Sequence, residues 1–162
     1  LNLRTLSGFY FVMDEFDRKI IDLLQRDGRL AQTTIAAEVG LSVSAVNERV
    51  RRLLQEEAIT IRAIADPKAV GCEVLAFVMI LLGRPDDDGP FRSAIAKIPE
   101  VLEAHHVTGE WSYLLKVRTA SVATLETLLG RKIKVIPGIT RSLTSIALSS
   151  PKETTVVPTR VS

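Results

Sequence analysis

The chain has 162 residues, of which 46% are hydrophobic and 25% charged, the balance of a soluble globular protein, so long-range disorder, collagen-like repeats and low-complexity architectures are excluded. A chain of this length fits one domain or two small ones and can bury roughly two-thirds of its unfolded surface. A single cysteine, Cys72, excludes an intrachain disulfide framework and a thiolate zinc site, and a net charge of +2 leaves any polyanionic partner to be argued from where the charge lies. No apolar run reaches membrane-spanning length, and a reducing cytoplasm is the expected compartment.

Residues 1–12 carry only Arg4 as charge and match a signal peptide poorly, with Met13 reading as a native start. They are expected to be an unordered or upstream extension; the alternative is a partner-swapped strand built from Phe9, Tyr10 and Phe11. Asp14 then caps a first helix whose apolar stripe is Phe16, Ile20, Leu23 and Leu24, with Gly28 stopping it. A second helix fits Gln32 to Val39, and Gly40 supplies the left-handed backbone of a tight turn anchored by Leu41. Ser42 caps a third helix, expected to keep Val43, Val46, Val50, Leu53 and Leu54 inward through about Glu57.

From Ala58 the pattern alternates, with Ile59, Ile61, Ala63 and Ala65 on one side, which predicts a strand ended by Asp66-Pro67. Glu73 to Leu82 is the most apolar strand, greasy on both faces. After the acidic turn Asp86-Asp87-Asp88-Gly89, Phe91, Ile95 and Ile98 have helical spacing up to Pro99. A strand from Val101 to Thr108 turns at Gly109-Glu110 into a second strand at Tyr113 to Val117. Ser121 caps a helix with Val122, Leu125, Leu128 and Leu129 inward, and Ile139 to Leu148 is the last strand.

The order strand, helix, strand, strand, helix, strand is the split βαβ arrangement of ferredoxin-like domains. Two helices cover one sheet face, so the other, carrying the doubly apolar strand, is expected to be covered by a second copy; the alternative is that the last strand and tail fold back over it.

Ahead of this section, small Ala36, Gly40 in the turn and apolar Val46 fit a helix-turn-helix. On a helical wheel Ser44, Ala45, Glu48, Arg52 and Gln55 lie opposite the valine stripe, flanked by Arg49 and Arg51. That face, behind its cap Ser42, is expected to enter the major groove of double-stranded DNA. Ser44 and Ala45 sit near base edges, and Arg49, Arg51 and Arg52 reach phosphates or guanines. The segment from Asp14 to Asp66 holds eight basic and ten acidic residues, a net of −2. The acids cluster in the first helix and at the exit of the third, leaving the middle of the reading face basic. Glu48 is the exception, placed to brace Arg52 as an i, i+4 pair or to accept a hydrogen bond from cytosine.

Asp14, Asp17-Arg18-Lys19-Ile20, Leu24, Asp27-Gly28-Arg29, Gly40-Leu41-Ser42 and Arg49-Val50-Arg51-Arg52-Leu53 resemble the amino half of Lrp/AsnC (feast/famine) transcription regulators. Val107-Thr108-Gly109, Tyr113-Leu114-Leu115-Lys116-Val117, Ile136-Pro137-Gly138-Ile139, Thr144 and Lys152-Glu153-Thr154-Thr155 resemble that family's amino-acid-sensing half. The resemblance implies an α+β chain: a winged helix-turn-helix over 14–58, a connecting strand and linker over 59–71, and a ferredoxin-like effector-binding and oligomerisation domain over 72–158. It also implies a homodimer, commonly assembled into octamers, regulating genes of amino-acid metabolism through an amino acid bound between subunits. The effector would lie near Gly109, Glu110, Trp111, Ser112 and Tyr113, facing Thr140, Arg141, Ser142 and Thr144. A glycine turn exposes backbone N–H groups to a carboxylate, and hydroxyls orient the rest; the alternative is that Trp111 and Tyr113 only pack the interface. Three positions depart from the family pattern: Ser112 stands where an acidic residue is usual, Ala31 replaces the hydroxyl cap of the second helix, and Ala58 replaces a common glycine.

The sequence has no glycine-rich phosphate motif and no carboxylate cluster at ligand spacing, so neither enzyme activity nor a cofactor or metal is expected. His105 and His106, as strand neighbours, point to opposite faces and cannot share one metal. The alternative function is that of the tetrapyrrole decarboxylases similar to this family, which place histidines in the sensor-domain cavity; it implies a decayed reading helix, whereas Ser42 to Leu53 is intact.

Overall fold

A computed structural model describes residues 12–159, so the readings made on residues 1–11 lie outside the described residues. The chain forms two compact units: the residues up to Ala63 together with those from Glu153 onward, and Ile64–Lys152.

In the first unit α1 (Glu15–Arg26), α2 (Gln32–Val39) and α3 (Val43–Gln55) pack around Ile20, Ile35, Val46 and Leu53, all fully buried. Asp14 opens α1 with a reciprocal capping box: its carboxylate accepts the Asp17 N–H at 2.8 Å, and the Asp17 carboxylate accepts the Asp14 N–H at 3.2 Å. Gly40 takes φ 74° and ends α2, and the Ser42 hydroxyl accepts the Ala45 N–H at 3.2 Å to start α3. Ala31 offers α2 no side-chain cap, a local loss of about 1 kcal/mol.

The exit of α3 is a Schellman turn, with the Ala58 N–H donating to Leu53 O at 2.9 Å and the Glu57 N–H to Leu54 O at 3.2 Å. Its left-handed residue is Glu57, at φ 54°, one position before the alanine that replaces the family's glycine. A side chain there costs about 1 kcal/mol.

Two expectations are corrected in this unit. The strand read from Ala58 to Ala65 is not formed: alternation makes a strand only where a neighbour supplies hydrogen bonds, and Ile61 and Ile64 stand 49% and 74% exposed. Among the described residues, then, the helix-turn-helix carries no paired wing. Val43 and Leu54 are also not inward, because Val46, Val50 and Leu53 already fill the space between the helices.

The second unit runs β1 (Val74–Leu82), a short 3-10 turn (Pro85–Asp87), α4 (Asp88–Ile95), β2 (Val101–His106), β3 (Tyr113–Thr119), α5 (Val122–Leu128) and β4 (Ile139–Ile146). A π turn (Leu129–Ile133) follows α5. The sheet is antiparallel in the order β2-β3-β1-β4, which is the ferredoxin-like topology. Ala76, Val78, Ile80, Leu115 and Val117 on one face pack with Phe91 and Ile95 of α4 and Leu125 and Leu128 of α5. Val122, expected inward, is instead 58% exposed in the first turn of α5.

Register puts Phe77, Met79 and Leu81 of β1 with Leu114 of β3 and Leu143 of β4 on the opposite face. No helix of this unit covers that face, and Leu143 is 48% exposed. β4 pairs with β1 at the sheet edge and does not fold back over the apolar face.

Candidate nucleic-acid interface and effector cavity

Burying Val46, Val50 and Leu53 leaves α3 an outward stripe of Ser44, Asn47, Glu48, Arg51 and Gln55, at the three- and four-residue spacing of one helical face. Ser42 stands at its head, its hydroxyl 3.0 Å from that of Ser44, and Ala45 is half-buried beside them. Asn47 was absent from the sequence-derived face although it lies one turn beyond Ser44. Its amide has the donor and acceptor pair that suits an adenine edge.

Arg49 and Arg52 turn the other way, toward α1. Arg49 Nη1 lies 2.8 Å from Asp17 Oδ1 and 2.7 Å from Asp14 Oδ2, and Arg52 Nη2 lies 2.8 Å from Asp17 Oδ2. Asp17 is fully buried, and its two carboxylate oxygens are met by these two guanidinium groups and by the Asp14 N–H. The hydrogen bond to Asp17, and then that to Asp14, raises the Arg49 pKa. The Asp17 N–H holds the Asp14 carboxyl below its ordinary value; burial opposes it, and the hydrogen bond from Arg49 adds to the lowering. Arg49 also lies 5.5 Å from the Phe16 ring centroid.

The wheel put Arg52 on the outward face with Arg49 and Arg51 flanking it; instead an acid on another helix claims Arg49 and Arg52, and Arg51 takes the outward place. Glu48 does not brace Arg52, as expected; it holds Arg51 Nη2 at 2.7 Å through both oxygens. Arg51 is the arginine of α3 on the outward stripe.

In the sensor unit the expected effector residues separate into two groups. Glu110, Trp111 and Arg141 form one: Arg141 pairs with Glu110 and lies 4.4 Å from the Trp111 ring centroid. Gly109 makes the turn beside them at φ 105°. Ser112 and Tyr113 form the other. The Ser112 hydroxyl accepts the Leu82 N–H at 3.1 Å and its own N–H donates to Ile80 O at 2.9 Å, so it ties the turn to the end of β1. Thr140 donates to Leu81 O at 3.1 Å, while Ser142 and Thr144 sit opposite Ile80 and Val78.

Ser112 also lines a cavity of about 540 Å³ with Leu82, Gly83, Arg84, Pro85, Asp88 and His106. The Tyr113 hydroxyl donates to Asp88, and the His106 ring stacks on Tyr113 with centroids 5.0 Å apart. Burial, and then the bond to Asp88, pushes the Tyr113 phenol up to about 12; the same hydroxyl is the largest cause lowering Asp88. Arg84, Asp88 and His106 are three lining residues that the sequence reading did not place in the site. Their only sequence signal was position, at the strand and helix ends on one side of the sheet.

His105 points to the other face, with Nε2 3.1 Å from Glu103 Oε2. Among the described residues, no three His, Cys, Asp or Glu side chains gather as a metal site.

A capped helix-turn-helix with a polar outward stripe, followed by a ferredoxin-like unit with a cavity of small-molecule size, defines a DNA-binding regulator with a separate ligand-binding domain. The chain belongs to the Lrp/AsnC family of transcription regulators: residues 13–54 match the AsnC-type helix-turn-helix domain and residues 75–157 the Lrp/AsnC ligand binding domain. It is 35% identical over 145 residues to the proline dehydrogenase transcriptional activator of Rhizobium radiobacter, covering 88% of this chain and 93% of that protein. It is 36% identical over 147 residues to the HTH-type transcriptional regulator FL11 of Pyrococcus horikoshii, covering 90% and 96%. The transcriptional regulator NMB0573 of Neisseria meningitidis, solved as an L-Met complex, superposes with a TM-score of 0.86 at 27% identity, covering 91% and 97%.

Proposed function

We propose that this regulator reads double-stranded DNA through the outward stripe of α3, with Ser44, Asn47 and Glu48 toward base edges and Arg51 toward phosphate, in response to an amino acid bound by the sensor unit. The observation that carries this reading is the division of labour among the α3 arginines: Asp17 fixes Arg49 and Arg52 as internal braces, leaving Arg51 on the outward stripe beside Asn47. Arg51 is held by Glu48 at 2.7 Å and exchanges that acid for a phosphate on binding.

The effector part of the reading rests on the cavity beside Ser112. Arg84 supplies a cation for a carboxylate, Asp88 an anion for an ammonium, and Leu82 an apolar wall. The L-methionine complex of the Neisseria meningitidis neighbour makes amino acids the first ligands to test.

The open sheet face of Phe77, Met79, Leu81, Leu114 and Leu143 is covered by a second copy, giving a homodimer in the cytoplasm whose two α3 helices address successive major grooves about 34 Å apart. Among the described residues no helix is long and apolar enough to cross a membrane.

The test is a mobility shift on the DNA upstream of the protein's own gene, over a salt series, with and without each standard amino acid. Log affinity is expected to fall with log salt by about 0.9 per phosphate neutralised, and at least one amino acid to change it. A salt-independent affinity, or no duplex binding in dilute buffer, refutes the DNA reading; binding that ignores every amino acid refutes the effector reading.

A further inference from the structure

The chain passes between its two units twice, once near Ala63 and again at Lys152, and the second passage ends on α1. There the tail is held by hydrogen bonds from three successive turns of one helix face. The Gln25 side-chain amide pairs with the backbone of Val157 in both directions, Nε2 donating to the carbonyl at 3.0 Å and Oε1 accepting the N–H at 2.8 Å. The Thr159 hydroxyl donates to Asp22 Oδ1 at 2.8 Å, and Arg18 donates to Thr159 O.

Gln25 thus treats Val157 as a neighbouring strand would, while Asp22 adds selectivity for a hydroxyl at 159. The contact is made without a core. Val156 and Val157 are 49% and 62% exposed, so these bonds compete with water and each shifts docking by only a few-fold. A segment held this way is ordered but releasable.

Its two ends give it a purpose. Upstream, the tail is continuous with β4, which carries Arg141, Ser142 and Thr144. Downstream, it grips α1, and the adjacent face of α1 carries Asp14 and Asp17, the acids that brace α3 through Arg49 and Arg52. We infer that residues 156–159 are an intramolecular latch, docked on Arg18, Asp22 and Gln25, that couples the effector strand β4 to the helix holding the DNA-reading helix in place. The docking stands on the geometry alone, and the coupling rests on the effector reading proposed above. An amino acid acts through the latch only by favouring its docked or its released state, since equal binding to both changes nothing.

Amide hydrogen exchange on the full-length chain tests the docking. The Val157 N–H is expected to exchange more slowly than that of Leu148, which is 99% exposed, and Gln25→Leu to speed it by about tenfold while leaving the amides of β1 unchanged. A Val157 amide that exchanges as fast as Leu148 in the wild type, or is indifferent to Gln25→Leu, overturns the latch. Mobility shifts with each standard amino acid test the coupling, using the wild type, Gln25→Leu and a chain ending at Pro151. The fold-change in DNA affinity produced by an amino acid is expected to shrink toward one in both variants, with binding of that amino acid still detected by calorimetry. Variants that keep the full fold-change overturn the coupling. A wild type whose DNA affinity ignores every amino acid refutes the effector reading and the coupling with it, whereas a protected Val157 amide still establishes the docking.

Discussion

Replacing Asp17 with alanine is the most direct challenge to the electrostatic frame of the DNA-binding unit. The side chain is fully buried, takes one guanidinium on each oxygen at 2.8 Å, and closes the capping box by accepting the Asp14 N–H at 3.2 Å. Removing one partner of a buried ion pair typically destabilises by about 3–5 kcal/mol, because the remaining charge is stranded. Here the stranded charges are Arg49 and Arg52, whose side chains keep 24% and 43% of their exposure and can rehydrate, so the lower end, about 3 kcal/mol, is expected. Asp14→Ala is the control. Its side chain is 44% exposed and its loss removes a cap worth about 1 kcal/mol. Because Trp111 lies in the other unit, the assay is hydrogen exchange at the Ile20 and Val46 amides, which report opening of the helical core. An Asp17→Ala effect no larger than that of Asp14→Ala would refute the account, since the frame would then rest on capping alone.

Arg51→Ala is expected to weaken duplex binding with unchanged thermal stability and to reduce the salt slope by about 1, whereas Arg52→Ala lowers stability first; equal stability losses in the two would show that the outward stripe is misassigned. The Asp14 pKa is lower folded than unfolded, so its contribution is present above about pH 4 and is lost as pH falls through the folded value. Acid titration followed by amide exchange should therefore loosen the start of α1 below pH ~4, and in Asp14→Asn that pH dependence should weaken. Met79→Lys, on the open sheet face, is expected to yield a monomer in sedimentation at concentrations where the wild type is a dimer; a monomeric wild type refutes the covered-face argument. Tyr113→Phe releases Asp88 from its hydroxyl partner, and calorimetry should show altered amino-acid affinity if the cavity is the effector site.

How much of this was legible beforehand depended on the range of the interaction involved. The caps at Asp14, Ser42 and Ser121, the left-handed turn at Gly40 and the βαββαβ order were written in the sequence, because capping and hydrophobic period act within one turn or one strand. The helix-turn-helix and the doubly apolar β1 followed from the same local rules. The strand read from Ala58 failed because alternation is local while strand pairing is not. Likewise Arg49, Arg51 and Arg52 are chemically alike along α3, and only packing α3 against α1 set Asp17 opposite two of them.

The cavity at Arg84, Asp88 and His106 joins the ends of β1, α4 and β2, and the clasp between Gln25 and Val157 spans 132 positions. Local preference determined most of the elements and the turns between them, and the ordered motifs along the chain carried the family resemblance. Which charges are consumed internally, which reach solvent and where the tail comes to rest were decided by tertiary structure, because only the folded chain brings distant groups within hydrogen-bonding distance and removes the water that would otherwise compete for them.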